Sequence, residues 1–319
     1  VRSGKIGTGG AGTMKVFRRM TIAAAVLMVG TAAAPASAQL RVAVDNDLFG
    51  PRGADDAPPD FEYTHGTRVS WTARGRAAGD ARRHVRFEVG QRIYTPRRDA
   101  AEPLPGERPY AGWLSASASV EETRPGRFRS LGVELGVTGP PSLAEPVQTG
   151  LHRLAGYRPP LGWAHQIPFE PGIVLRYREA RAWTARGDRF AASISPRWGA
   201  AAGNVWTGAD AGVRVAAGWR ALPDRPTSDE NADRPGVYLF SGVRQEWVLR
   251  NLFLDGSTFR DSHHVDKRPF VPEAEIGVGT RIRRVEVQYR AVFRGREYRT
   301  QDEPHRYGSI TLSLIPRSR

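Results

Sequence analysis

From about residue 40 onward, apolar and polar positions alternate with a period of two. Leu131, Val133, Leu135 and Val137 alternate with Ser130, Gly132, Glu134, Gly136 and Thr138. Leu114, Ala116, Ala118 and Val120 alternate with Ser115, Ser117, Ser119 and Glu121, and Val285, Val287, Tyr289, Ala291 and Phe293 with Arg284, Glu286, Gln288 and Arg290. This period turns successive side chains to opposite faces of an extended chain. Further segments with the pattern lie at about 84–95, 172–180, 209–219 and 236–248, and shorter ones at about 40–48, 64–73, 188–198, 269–279 and 306–315. Gly, Pro and Asp punctuate them, which predicts about twelve antiparallel strands.

Alternation alone suits a periplasmic sandwich as well as a membrane barrel. The polar face carries both signs within one strand, as in Arg86/Glu88, Arg244/Glu246 and Arg284/Glu286, which fits a narrow lumen filled by ion pairs. The apolar face carries aromatics such as Trp219, Trp247 and Phe293, as interface girdles do. The expected fold is therefore all-β, a transmembrane antiparallel barrel of about 12 strands. A mean hydropathy of −0.46 and short apolar runs exclude a helical membrane bundle. The absence of Cys excludes a disulfide scaffold, thiolate metal sites and cysteine nucleophiles.

Ahead of the strands, residues 14–38 read as a signal peptide cleaved after Ala38. Lys15, Arg18 and Arg19 precede an apolar stretch, and Ala36-Ser37-Ala38 is a small-residue cleavage site. Residues 1–38 are thus an upstream extension and leader, and 39–319 a single barrel domain. The chain carries a formal +14, and residues 1–38 hold five of its 47 Lys and Arg but none of its 33 acids. In an exported chain with dispersed bases, anionic lipid headgroups or lipopolysaccharide phosphates are expected partners and nucleic acid is not.

The connections alternate in length. Segments 49–62, 96–111 and 139–169 are long, and 74–82, 123–126 and 181–187 shorter, whereas 221–235 is long on the opposite side. Long loops face the cell exterior in such barrels, so the three long ones define an outer rim. Strand one ends Asp45-Asn46-Asp47, with Asp45 and Asp47 on one face unless a bulge intervenes. In the long insert, Ser142 and Glu145 have the spacing of a capping box. They predict a short helix in an extracellular loop, with Gln148 and His152 on one face and Gly156 as its stop.

The blocks DNDLF, EYTHG, IYTP and ERPYAGW, followed by GP…Q-x-x-x-H…GW-x-x-Q…EP, resemble the outer-membrane lipid A 3′-O-deacylase family. The resemblance runs discontinuously from Val42 to Pro171. It implies a twelve-stranded barrel and calcium-dependent removal of the 3′ acyloxyacyl group of lipid A, at a site between the wall and an outer helix. It further implies that Asn46 and Asp47 match the family's Asn-Asp pair, Thr64 its strand-two hydroxyl, and Gln148 and His152 its helix Gln and catalytic His. The family's acidic residue should follow the His. Arg158 stands at the near-downstream position, and Glu170 is carried over as the nearest carboxylate on the rim.

Chemically, His152 suits a general base, with Asp47 orienting the imidazole and Gln148 positioning substrate or water. Asn46, Thr64 and Glu170 offer hard oxygens suited to Ca²⁺ rather than zinc. Bland readings stand beside these: His152 as a helix-surface residue, Asn46-Asp47 as strand-end turn formers, and His65 as a rim residue outside catalysis. His165 suits structural hydrogen bonding and His263-His264 a solvated loop, while Arg97, Arg98 and Arg108 suit either lipid phosphates or local ion pairs. No H-x-S arrangement follows His65 or His152, and no G-x-S-x-G elbow occurs. Water attack by a monomeric enzyme is therefore expected, with a phospholipase A-like barrel or a non-catalytic barrel or porin as the alternatives.

Overall fold

The computed structural model describes residues 38–51, 61–73, 75–221 and 235–315. The expected leader lies outside them, apart from Ala38. Twelve strands close a barrel: β1 (Gln39–Asn46), β2 (Glu62–Thr72), β3 (Ala81–Thr95), β4 (Ala111–Arg124), β5 (Arg127–Val137), β6 (Pro171–Arg181), β7 (Phe190–Gly203), β8 (Trp206–Trp219), β9 (Gly236–Asn251), β10 (Phe270–Ile282), β11 (Val285–Arg294) and β12 (His305–Leu314). Each pairs antiparallel with its sequence neighbours, and β12 returns to β1 through pairs such as Val44 with Ile310, so a single chain closes the wall. Short strands Arg76–Ala78 and Trp183–Arg186 lengthen two hairpins at one end. Among the described residues no helix is long and apolar enough to cross a membrane.

The alternation turns inside out relative to a soluble protein. Val85, Phe87, Val89, Leu131, Leu135, Leu239 and Ile276 are exposed on the outer face, as a lipid-facing belt requires. Inside, charges are buried in pairs. Glu134 of β5 meets Arg92 of β3 and Arg176 of β6, and accepts from the indole of Trp113 at 2.8 Å. Glu275 of β10 draws in Arg197, Arg214 and Arg290 from three other strands. Partners of opposite sign are what make such burial tolerable.

Four long connections, 47–61, 96–110, 138–170 and 252–269, gather at one rim with the shorter 295–304. Of the later connections 252–269 keeps the length pattern of the first half, whereas the two-residue turn between β7 and β8 on this rim and the long 220–235 on the opposite one break it. At the β7–β8 turn both strands run further than the sequence punctuation suggests. At this rim a short helix, Leu252–Asp255, drops Leu252 and Phe253 onto Trp113, Val174 and Val205, and Phe253 stacks on Tyr94 at 4.5 Å. The mouth is stoppered from within by this apolar cluster.

The insert helix α1 spans Ala144–Ala155. Its start corrects the expected capping box. Pro140 and Pro141 fix a 3-10 turn ending at Ser142, whose hydroxyl donates back to Gly139 O at 2.6 Å, and Leu143 takes the N-cap position in a left-handed conformation (φ 58°). Pro146 is tolerated in the first turn, where its missing N–H has no helical partner to lose. Gly156 ends the helix as expected, at φ 80°.

Candidate functional site

The site begins with a bulge. Along β2 and β3, Tyr63 pairs with Tyr94, but the next pair is His65 with Ile93, so Thr64 is an extra residue. Its hydroxyl lies 2.6 Å from that of Thr95. Asn46 completes the group: its Nδ2 donates to Thr64 O at 3.1 Å and lies 3.4 Å from His65 Nδ1. His65 Nε2 stands 2.9 Å from Thr67 Oγ1. Asn46, Thr64, His65 and Thr95 therefore cluster on the outer wall at the rim, while Asp45 faces inward and pairs with Arg68 at 2.8 Å.

Asp47 does not share the Asp45 face, because β1 ends at Asn46 and Asp47 opens a 3-10 turn (Asp47–Phe49). Asn46 Oδ1 caps that turn by accepting from Leu48 N at 2.9 Å. The buried Asp47 carboxylate accepts from Leu48 N at 2.8 Å and Phe61 N at 3.1 Å, tying the strand end to the approach of β2.

Helix α1 is seated on the outer wall beside this cluster. Ala144 and Val147 pack with Ile93, Tyr110 and Trp163, and Ile93 is the register partner of His65. Gln91 Nε2 donates to Ser142 O at 2.7 Å. Gly112 makes the approach possible, since a Cβ there would sit 2.3 Å from that of Ala144. Gln148 is buried and its Oε1 accepts from Trp163 Nε1 at 2.9 Å. One turn later comes His152. Behind it, the Gly156 stop turns the chain back, with Tyr157 N donating to His152 O at 2.8 Å. The carbonyl of Arg158 then lies 2.6 Å from His152 Nδ1. A carbonyl only accepts, so Nδ1 carries the proton and Nε2 is left as the basic atom. At this ring nitrogen the orienting contact comes from a backbone carbonyl, where sequence reasoning looks to Asp47.

Glu170 lies apart from the Asn46–Thr64 group. One carboxylate oxygen accepts from Asn204 Nδ2 at 2.9 Å, the other from Ser257 Oγ at 2.8 Å and Thr258 N at 2.7 Å. Burial would raise its pKa, but these hydrogen bonds hold it below the usual carboxylate range. Its role is to moor the 252–269 loop that carries the stopper. Among the described residues no group of three or more His, Asp or Glu side chains is placed to hold a metal. The oxygens of Asn46, Thr64 and Thr95 beside Asp47 are hard, mostly neutral donors, a set that suits Ca²⁺ and not zinc.

The rim arginines form ion pairs. Arg98 pairs with Glu107 at 2.7 Å, Arg97 reaches Asp302 and Glu303, and the buried Arg108 meets Glu62 and Glu297. His165 sits 3.2 Å from Glu102, and His263 Nε2 lies 2.7 Å from Glu107 O. Sequence reasoning places His65 at the rim outside catalysis and does not single out Thr95 or the Arg158 carbonyl. Thr95 is legible as part of IYTP, whereas His65 joins the cluster only through a bulge that leaves no mark in the sequence.

No curated protein matches the chain. Among solved structures, LpxR from Salmonella typhimurium is similar in fold, with a TM-score of 0.73 at 20% identity over 87% of this chain and 99% of that one. The β domain of the Bordetella autotransporter BrkA aligns over 88% of this chain and 98% of that one, at 9% identity and a TM-score of 0.44. The family model described as outer membrane protein LpxR matches residues 20–315, nearly the whole barrel and its rim, and the chain belongs to that family of outer-membrane proteins.

Proposed function

We propose that the chain is an outer-membrane esterase that hydrolyses the 3′-linked acyloxyacyl chain of lipid A, with water as nucleophile and His152 as general base. The observation that carries this reading is the placing of candidate groups on the outer wall, beneath a helix and next to the lipid-facing belt. An ester whose acyl chain stays in the leaflet can reach that face without entering the stoppered lumen. The gathering of long loops at this rim supports an orientation toward the cell exterior.

His152 Nε2 would take a proton from water as its oxygen attacks the ester carbonyl. The tetrahedral intermediate would then collapse, and the imidazolium would return the proton to the departing sugar 3′-oxygen, leaving a free hydroxyl and a fatty acid. The Arg158 carbonyl stabilises the imidazolium from the Nδ1 side, the part a carboxylate plays in a triad. General-base action contributes about 10²–10⁴ in rate. Asn46, Thr64 and Asp47, with Thr95 alongside, would hold a Ca²⁺ ion. When bound, it supplies polarisation of the ester carbonyl. Glu170 is left out of this set because its carboxylate faces Asn204, Ser257 and Thr258, apart from the Asn46–Thr64 group.

Mass spectrometry of lipid A from cells expressing the wild type and His152→Ala tests the reading. Loss of the 3′ acyl unit with wild type alone is the expected outcome. Unchanged lipid A in both, with folded protein and calcium present, overturns it, and fatty acid released from glycerophospholipid instead makes the chain a phospholipase.

A further inference from the structure

We propose that Glu62, Arg108 and Tyr298 are positioning residues that set the outer-wall site from inside the barrel, through the backbone of β2. This rests on the deacylase reading for its effect on activity, but not for its structural basis.

Glu62 is the first residue of β2 and holds φ at 68°, a left-handed conformation that a residue with a side chain adopts only under constraint. The constraint is visible. Its Oε1 accepts from the Tyr298 hydroxyl at 2.7 Å, and its Oε2 from Arg108 Nη1 at 3.1 Å. Arg108 is fully buried and lies over the lumen-facing ring of Tyr94, 4.6 Å from its centroid. The same Nη1 reaches Glu297 at 3.4 Å, and Glu297 is fixed in turn by Arg294 at 2.9 Å and by its own N–H donating to Gln301 at 2.6 Å. All three residues of the cluster come from different parts of the chain, and two belong to the EYTHG and ERPYAGW blocks whose glutamate and arginine the esterase chemistry leaves unused.

The consequence lies two residues further on. Glu62 is the register partner of Thr95, yet its side chain turns inward to Arg108. The chain then places Tyr63 inward against Asp45, and the extra residue Thr64 keeps both Thr64 and His65 on the outer side. A period-two strand that loses such an irregularity moves its side chains to the opposite face. The inner cluster fixes one end of the irregular stretch, and the contacts of Asn46 and Thr95 with Thr64 fix the other. Releasing the inner end frees the backbone at 62 to return to an extended conformation, which withdraws Thr64 from the wall.

Glu62→Ala and Glu62→Gly separate this from a simple loss of charge, because both remove the carboxylate and only glycine adopts φ above zero freely. With each variant shown to be folded by its heat-modifiable migration, the kcat for 3′ deacylation is expected to fall about 10- to 100-fold in Glu62→Ala, as misplacement of about 1 Å does. Glu62→Gly is expected to stay within about threefold of wild type. Amide hydrogen exchange over 61–66 should quicken in Glu62→Ala more than in Glu62→Gly. Equal kcat and equal exchange in the two variants, whether both match wild type or both are impaired, would overturn the proposal. A wild type that leaves lipid A intact removes the deacylase reading alone, and exchange at 61–66 then decides the positioning role by itself.

Discussion

At His152 the tautomer is decided by what faces Nδ1, and that partner depends on a glycine four residues away. Gly156 at φ 80° has open space where a Cβ would be, so a substitution there meets no clash and acts through backbone conformation alone. Gly156→Ala is expected to cost about 1–2 kcal/mol locally and to draw the Arg158 carbonyl off the imidazole. Asn, which tolerates the left-handed region, should do less harm. The expected order of kcat for lipid A deacylation is Gly, then Asn, then Ala. Equal rates in all three would show that the helix stop does not orient the base. The sequence already marked both residues, His152 by its place on the helix and Gly156 as its stop. It could not mark Arg158 as a partner, because the contribution is a carbonyl that any residue carries.

Helix α1 reaches the wall through a close approach at β4. A methyl group at Gly112 would meet both Ser142 Oγ, at 2.1 Å, and Ala144 Cβ. Gly112→Ala should therefore lift the helix N-terminus while the barrel hydrogen bonds stay intact. Two readouts follow: faster tryptic cleavage after the exposed Arg153, and a fall in deacylation of about tenfold or more. Unchanged cleavage would mean that the insert absorbs the methyl group. The second loop at this rim is moored by charge. Glu170, with its pKa held down by Asn204, Ser257 and Thr258, contributes stability above its ordinary value of 4.5, and loses it as the pH falls through the lower folded value. Pepsin should thus attack the 252–269 loop increasingly as the pH drops below 4.5, and Glu170→Gln should flatten that dependence. At the scale of elements most of the fold was legible, since lipid outside and ion pairs inside enforce a strict period of two. Two irregular features escaped. Ser142-x-x-Glu145 has the spacing of a capping box, but Pro140 and Pro141 commit Ser142 to the preceding turn. The bulge at Thr64 is set by contacts with β1, β3 and the lumen rather than by any local turn signal.

The whole barrel joins two requirements that the sequence shows only as alternation: an outer face that lipid can wet, and a lumen filled by paired charges. Glu275 is central to the second, because its carboxylate pairs with Arg197, Arg214 and Arg290 from β7, β8 and β11. Removing it leaves three part-buried guanidinium groups without a shared counter-charge, at a cost of up to about 3–5 kcal/mol, the figure for a fully buried broken pair. Glu275→Ala should shift the urea unfolding midpoint in detergent downward by the equivalent amount. Replacing Glu122 instead, whose partner Arg83 is exposed on the opposite rim, should change stability by about 1 kcal/mol at most. If the two variants unfold together, the lumen charges are individually dispensable and the wall hydrogen bonds alone hold the cylinder. Deacylation should survive Glu275→Ala at temperatures where the barrel stays folded, because the candidate site is built on the outer face of β1–β3. Loss of deacylation in a folded Glu275→Ala barrel, whose change lies away from the β2 backbone, would place the reacting groups inside the barrel, against the outer-wall arrangement.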